Sequence, residues 1–184
     1  LTRMKLQLAM IKDDGLSGKL SSDIDDMEKM LNEYLEFART GSRVANETFD
    51  LSELVQKTVK NYSENIKTSL TERIYFNGRK NLINRCINNL LDNSVKYAKK
   101  IEIVLKKDSS NIILKVDDDG PGVPKSEYEN IIKPFYKIDK SRSEKSSVGL
   151  GLSIVSDIIR SHGGDISFKK SSMGGLSVKI SLPF

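Results

Sequence analysis

Apolar residues recur at helical spacing over the first forty positions and change to shorter, mixed rhythms after Phe49. Leu1, Met4, Leu8 and Ile11 stand three and four apart, so they share one stripe, with Arg3, Lys5 and Lys12 outside it. Asp13, Asp14, Gly15, Ser17 and Gly18 interrupt this stripe. Ile24, Met27, Leu31, Tyr34 and Ala38 resume it in a second segment, with Ser22, Asp23 and Asp25 near its start as capping and dipole-compatible residues. Two helices and a short turn predict an antiparallel hairpin. Its seam is buried either against a second copy, as half of a four-helix bundle, or against the rest of the chain, and periodicity does not choose between them. Residue 1 falls in mid-pattern with no N-cap, as if the first helix were cut. Gly41 and Ser42 end the second helix, and the stretch through Glu47 reads as linker, which divides the chain into domains 1–44 and 45–184.

In the second domain Asp50 caps a helix marked by Leu51, Leu54, Val55 and Val59. Ile74 to Phe76 reads as a short strand and Leu82 to Ala98 as a long, largely buried helix. Ile101, Ile103 and Leu105 alternate, as do Ile112, Leu114 and Val116, with Asp108 to Asn111 as the hairpin turn between them. A short helix near Ser126 to Lys133, a charged loop to Val148 and a helix from Leu150 to Ser161 follow. Strands at Ile166 to Lys169 and Leu176 to Leu182, joined by Gly174 and Gly175, complete the series. Helices and strands do not alternate regularly, so the expected fold class is α+β: a helical hairpin followed by a two-layer sandwich with helices on one face of a mixed sheet.

Composition narrows the classes. A formal charge of +5 and a pI near 9.1 arise from lysines scattered among acids, without a basic block or interleaved aromatics, which argues against nucleic-acid binding. The single cysteine, Cys86, lies in an apolar helical stretch, so a disulfide scaffold is excluded and a reducing cytoplasm is the natural setting. No stretch reads as a secretory signal or reaches the roughly 20 apolar residues of a membrane span.

Three clusters carry chemistry. Asn89 and Asn93 sit four apart on one helical face, where two amide oxygens can meet one hard cation, and Lys96 can place a charge on a phosphate. A solvated polar stripe has the same spacing, but Ile87, Leu90, Leu91 and Val95 make most of this helix apolar. Asp117, Asp118 and Asp119 precede Gly120, Pro121 and Gly122, a turn that lets backbone approach a flat ligand while a carboxylate accepts from an exocyclic amine such as that of adenine. A capped strand-end turn or a metal cluster are the alternatives there. Gly149, Leu150, Gly151 and Leu152 open a helix whose free N–H groups and positive dipole end suit phosphate. The preceding loop carries Lys137, Lys140, Arg142 and Lys145, a composition that suits a mobile cover over polyphosphate or a solvated charged loop. His162, the only histidine, stands before Gly163 and Gly164 as a helix-end residue rather than a catalytic one.

In this order the segments NLLDNSVKY (Asn89 to Tyr97), DDGPG (Asp118 to Gly122), PFYKIDKSR and GLGLSIV resemble the N box, first glycine box, F-box with lid, and second glycine box of a two-component sensor histidine kinase of the EnvZ-like osmosensor class. The resemblance runs from about residue 49 to the end and implies the histidine kinase/gyrase-type ATPase fold, with ATP and Mg2+ as ligands. It implies that Asn93 ligates magnesium with Asn89 assisting, and that Lys96 and Tyr97 contact the nucleotide. Asp118 would read the adenine amine beside Gly120 and Gly122. Tyr136, Lys137 and Arg142 would approach ribose or phosphates, Phe135 would anchor the lid, and Gly149, Leu150, Gly151 and Leu152 would form the phosphate-side loop. Ser146, Ser147 and Val148 stand where a further lid glycine is frequent, a departure from the pattern. The related gyrase, mismatch-repair and chaperone ATPases typically hold a catalytic glutamate where Asn89 stands, which favours phosphoryl transfer over hydrolysis.

Residues 1 to 40 are similar to the dimerisation and phosphotransfer hairpin of that family, in which the phosphoacceptor histidine lies about six positions before the leucine matching Leu1. The expected function is the ATP-binding core of a protein-histidine kinase, dimeric through the hairpin, acting on a histidine outside this sequence and then on a response-regulator aspartate. A non-catalytic nucleotide-sensing or dimerisation remnant is the alternative, and a gyrase-type ATPase a weaker one. The resemblance also implies a cytoplasmic domain whose parent reaches the bacterial inner membrane through upstream segments.

Overall fold

A computed structural model describes residues 18, 20–25, 27–28, 31, 35, 45–62, 65–138 and 149–184. These fall in two compact units, the residues from 18 to 35 in one and those from 45 onward in the other. In the first unit every described residue is helical, Gly18 included, so helix is established ahead of the Ser22 to Asp25 cap expected from sequence. Ile24 is buried, while Leu20, Met27, Leu31 and Leu35 on the same stripe are exposed. The expected first helix, the turn after it, Tyr34, Ala38 and the Gly41–Ser42 stop lie outside the described residues.

The second unit has the order β1 (Glu47–Asp50), α1 (Leu51–Val59), β2 (Ile66–Leu70), β3 (Tyr75–Gly78), α2 (Lys80–Tyr97), β4 (Ile101–Lys107), β5 (Asn111–Asp118), a single 3-10 turn (Lys125–Glu127), α3 (Gly151–Arg160), β6 (Asp165–Lys170) and β7 (Leu176–Pro183). A five-stranded mixed sheet runs β2-β4-β5-β7-β6, and β1 pairs with β3 in a separate two-stranded ribbon. Only β2 and β4 are parallel; β4, β5, β7 and β6 are joined antiparallel. Register places Ile101, Ile103 and Leu105 of β4 opposite Asp118, Val116 and Leu114 of β5, so one face of the sheet is continuously apolar up to the acidic turn. Leu51 and Val55 of α1, Ile83, Ile87 and Leu91 of α2, and Val155, Ile158 and Ile159 of α3 are almost fully buried together with Ile103, Leu105, Ile112 and Ile180. These side chains form the core between the helical layer and the sheet.

Local chemistry explains the boundaries. The Asp50 carboxylate accepts from the Ser52 and Glu53 amides at 2.9 and 3.2 Å, as an N-cap should. Asp108 accepts from Ser110 and Asn111 and so closes the β4–β5 turn. α2 has no side-chain cap at Arg79. Its N-terminus is held instead by the end of α3: the Arg79 amide donates to His162 Nε2 at 3.1 Å, and the Arg79 guanidinium donates to the Ser161 carbonyl. His162 Nδ1 lies 2.7 Å from the Ile158 carbonyl. A carbonyl only accepts and an amide only donates, so Nδ1 carries the proton, Nε2 accepts, and the ring is neutral. Burial holds its pKa below the ordinary histidine value and the Arg79 charge adds to that, against the opposing pull of the Ile158 carbonyl.

Two sequence expectations are corrected and one strand is added. Glu47, read as the end of a linker, pairs with Gly78 as the first residue of β1. β2 was not foreseen, because its IKTSL sequence lies on a sheet edge with Lys67, Thr68 and Ser69 exposed and carries no alternating apolar signal. The helix expected at Ser126 to Lys133 is one 3-10 turn followed by further turns. Pro134 biases Lys133 away from helical geometry, and Asn130 bonds locally to Glu127 and Lys133 instead. Among the described residues no helix is long and apolar enough to cross a membrane.

Replacing Asp50 with Ala is expected to cost about 1 kcal/mol of unfolding free energy in urea titration. Because folding lowers the His162 pKa, its stabilising contribution is complete above the unfolded value of 6.5 and is lost as pH falls below it. The thermal midpoint should therefore drop between pH 7 and pH 5, and His162→Gln, though less stable at pH 7, should lack that part of the slope.

Candidate functional site

Leu82, Ile83, Cys86, Ile87, Leu90 and Leu91 commit one face of α2 to the core, and its second half presents Asn89 and Asn93 at the edge of that face, followed by Lys96 and Tyr97. Asn89 and Asn93 are half-buried. The Nδ2 of Asn89 is buried without a hydrogen-bond partner among the described residues, a donor waiting for an acceptor. Asn93 lies over the start of α3: a methyl group placed on Gly151 would be 3.4 Å from its Nδ2. The Lys96 ammonium lies 5.3 Å from the centre of the Tyr97 ring, which is exposed. The Tyr97 carbonyl meets the acidic turn, where a Cβ on Gly120 would lie 3.0 Å from it.

The three consecutive carboxylates do not form a cluster. Asp117 points to the opposite side of the strand from Asp118 and pairs with Lys115 at 2.6 Å. Asp119 accepts from the Lys99 and Lys100 amides, each at 2.8 Å, which ties the start of β4 to the turn and holds its carboxyl below the usual range. Asp118 faces the core side, almost fully buried. Its Oδ1 accepts from the Gly120 and Leu176 amides at 2.9 and 3.0 Å. Burial raises the Asp118 pKa; those two amides oppose the rise, and Asp119 and Asp117 add to it. No group of three or more metal-binding side chains of His, Cys, Asp or Glu occurs among the described residues, so the metal-cluster alternative for this turn is set aside.

The turn between β6 and β7 enters here, a feature the sequence pattern marked only as a hairpin. Gly175 donates its amide to the Asp118 carbonyl at 3.1 Å. A Cβ on Gly175 would overlap Asp118 Oδ1 and lie 2.5 Å from the Gly120 nitrogen, so only glycine fits this approach. Gly122, at φ +72°, faces the Gly174 and Gly175 carbonyls. The glycine pair was visible in sequence, but the contact it permits joins Leu176 to Asp118, 58 residues apart, which no local pattern predicts.

The ends of the charged loop are joined by backbone: the Phe135 amide donates to the Gly149 carbonyl at 2.9 Å. Both residues have positive φ, 66° and 79°. Phe135 anchors this neck through its backbone, since its ring is exposed. The Tyr136 hydroxyl donates to Glu127, which lowers the Glu127 pKa and raises that of Tyr136, so this side chain is engaged at the 3-10 turn. Lys137 is exposed. Arg142, Lys140, Lys145 and the Ser146–Val148 departure lie outside the described residues. Leu150 is buried at the N-cap of α3 and supplies no side-chain hydrogen bond, so the cap leaves the amides at Gly151 and Leu152 to other acceptors. Gly151 and Leu152 are half-buried.

Half-buried amides, an uncapped helix N-terminus and a buried carboxylate thus converge around the second half of α2, with Tyr97, Gly120, Asn93 and Gly151 as the points of contact. Such a set offers an acceptor to an amine-bearing flat ring at one end and donors to oxygen-rich anionic groups at the other.

Residues 78–184 match the family described as histidine kinase-, DNA gyrase B-, and HSP90-like ATPase. The chain belongs to this family of ATP-binding domains. Within it the relatives are two-component sensors. The sensor histidine kinase GtrS of Pseudomonas aeruginosa is 32% identical over 186 residues, covering 100% of this chain and 39% of GtrS. CpxA of Escherichia coli is 31% identical over 201 residues, covering 100% of this chain and 44% of CpxA. The chain therefore spans about two fifths of the length of these curated relatives. The histidine kinase domain of the E. coli osmosensor EnvZ superposes with a TM-score of 0.60 at 28% identity, over 78% of this chain and 91% of that one. The mixed sheet with its helical layer is the fold of these kinase ATPase domains.

Substituting Gly175 with Ala is expected to destabilise the chain by about 1–3 kcal/mol, because the methyl group must displace either Asp118 or the Gly120 backbone. A urea titration beside Ser172→Ala, a substitution at an exposed position of the same turn, checks it.

Proposed function

We propose that this chain is the nucleotide-binding catalytic part of a sensor protein-histidine kinase and transfers the γ-phosphoryl group of Mg-ATP to a histidine outside this sequence. The observation that carries the proposal is the buried, unpartnered amide of Asn89 one helical turn from Asn93, beside the uncapped start of α3. Magnesium supplies charge neutralisation on the phosphates when bound, and it accepts one or two side-chain oxygens while retaining waters. The residues fit that demand. Asn93 and Asn89 have amide oxygens to offer, and the free Nδ2 of Asn89 suits a phosphate oxygen or a metal-held water.

In this reading the amides of Gly149, Leu150, Gly151 and Leu152 and the Lys96 ammonium hold the phosphates. Tyr97, Gly120 and Gly122 line the base, and Asp118 accepts from the adenine amine through the oxygen that the Gly120 and Leu176 amides do not occupy. Lys137 and Arg142 are the cations this reading assigns to the phosphates, and Tyr136, whose hydroxyl donates to Glu127, would have to release that bond to join them. Asn89 cannot take a proton at neutral pH, so it activates no water, and transfer to an imidazole is favoured over hydrolysis. In that transfer the bond from phosphorus to the bridging oxygen breaks, a bond to an imidazole nitrogen forms, and ADP leaves. His162 is not the acceptor, because both its ring nitrogens are engaged.

Residues 1–44 act as a helical hairpin that pairs with a second copy, which accords with exposed Met27 and Leu31 on a helical stripe. The phosphoryl group passes on to a response-regulator aspartate, and the domain works on the cytoplasmic side of the membrane that holds its parent.

Calorimetric titration with ATP and GTP, with and without magnesium, tests the site. ATP should bind in preference to GTP, and Asp118→Asn or Asn93→Ala should weaken Mg-ATP by about 10-fold or more, as expected for losing a charge-assisted bond or a metal ligand. Addition of a histidine-bearing hairpin should then yield acid-labile phosphate on that hairpin. Binding without any transfer would instead identify a nucleotide sensor, and no binding would defeat the proposal.

A further inference from the structure

We propose that Tyr62 is a positioning residue for the nucleotide site: from beyond the end of α1 its hydroxyl donates to Asp92, beside Asn88, and so sets the rotation of α2, and with it the aim of Asn89 and Asn93. The inference rests on the functional reading above and extends it to Tyr62, outside the family motifs, and to Asp92, a residue of the Asn89 to Tyr97 segment that the reading leaves without a role. α2 carries two polar stripes. Asn84, Asn88 and Asp92 stand on successive turns toward α1, and Asn89 and Asn93 follow one residue later, about 100° around the helix.

Each turn of the first stripe has a partner. Thr58 Oγ1 lies 2.8 Å from Asn84 Oδ1. The Asn88 amide donates to the Asn84 carbonyl at 2.9 Å. The Tyr62 hydroxyl donates to Asp92 Oδ1 at 2.8 Å and lies 3.1 Å from Asn88 Oδ1. Burial pushes the Tyr62 pKa well up, and Asp92 pushes it further, so the hydroxyl remains a donor across the working pH range.

Apolar contacts cannot do this alone. The core face of α2 is held by burial, which is non-directional and tolerates small rotations, whereas a hydrogen bond to a phenol on a neighbouring element is directional. Side-chain ends sit about 5–6 Å from the helix axis, so a rotation of about 10° carries the Asn93 amide about 1 Å. Metal–ligand distances tolerate about 0.2 Å, and a 1 Å misplacement of a reacting group costs on the order of 100-fold in rate. Tyr62 therefore acts at a distance, through the helix that joins the two stripes.

The test uses the full chain with Tyr62→Phe, Asp92→Ala and Asp92→Asn, titrated with Mg-ATP and with magnesium-free ADP, and melted in parallel. Tyr62→Phe and Asp92→Ala should raise the Mg-ATP dissociation constant about 3- to 10-fold, the worth of one net hydrogen bond. Magnesium-free ADP, held at its adenine by Asp118, should bind as before. Asp92→Asn keeps an acceptor oxygen and should restore Mg-ATP affinity. Unchanged Mg-ATP affinity in folded Tyr62→Phe, or equal loss of both ligands alongside a lower melting temperature, overturns the proposal in favour of a purely structural contact. If Tyr62→Phe fails to fold, Asp92→Ala against Asp92→Asn decides the same question from the other side. Failure of the unmodified chain to bind any nucleotide overturns the functional reading, and this inference with it.

Discussion

The burial of one side of α2 is the constraint on which the other features depend. Leu82, Ile83, Cys86, Ile87, Leu90 and Leu91 leave the helix no other way to face the sheet. Once they are seated, Asn89 and Asn93 emerge at the edge of that buried face, the Tyr97 carbonyl arrives against Gly120, and Arg79 arrives against His162. Helical geometry converts a single packing choice into the placement of groups 27 Å apart at most, since 18 residues rise about 1.5 Å each. Hydrophobic burial supplies the energy, and the polar contacts at both ends supply the direction.

Asp118 shows how the sheet completes what the helix begins. A buried carboxylate needs hydrogen-bond donors, and these come from two strands that are distant in sequence, the Gly120 amide just past β5 and the Leu176 amide at the start of β7. The contact works because Gly175 brings its backbone where any side chain would collide. The flanking carboxylates are disposed of separately, Asp117 by Lys115 on the far side and Asp119 by the amides that open β4. A run of three acids thus yields one carboxylate facing the core and two that stabilise the frame around it.

His162 illustrates a polar residue whose use is architectural. Its neutral ring accepts from the Arg79 amide, donates to the Ile158 carbonyl and packs against Phe76 at 5.9 Å between ring centroids. It joins the end of α3 to the start of α2, the two helices whose facing ends carry Gly151 and Asn93. The pairing supplies the cap that no side chain at Arg79 provides.

The sequence by itself determined whatever depends on near neighbours. The Asp50 cap, the span of α2, the alternation of β4 and β5 and the Asp108 turn were legible because each is set by residues within one or two turns of the chain. The sequence also named Asn89, Asn93, Asp118 and the Gly149 to Leu152 stretch as candidates, through spacing and through resemblance. Tertiary structure alone decided the rest. β2 became a strand because β4 offered it an edge, and the Tyr136 hydroxyl turned to Glu127. Separation of the three acids and the approach of Gly175 to Asp118 likewise required strands brought together from 58 residues apart. Periodicity records which face of an element is buried, but which residues meet across that burial is fixed only when the whole core closes.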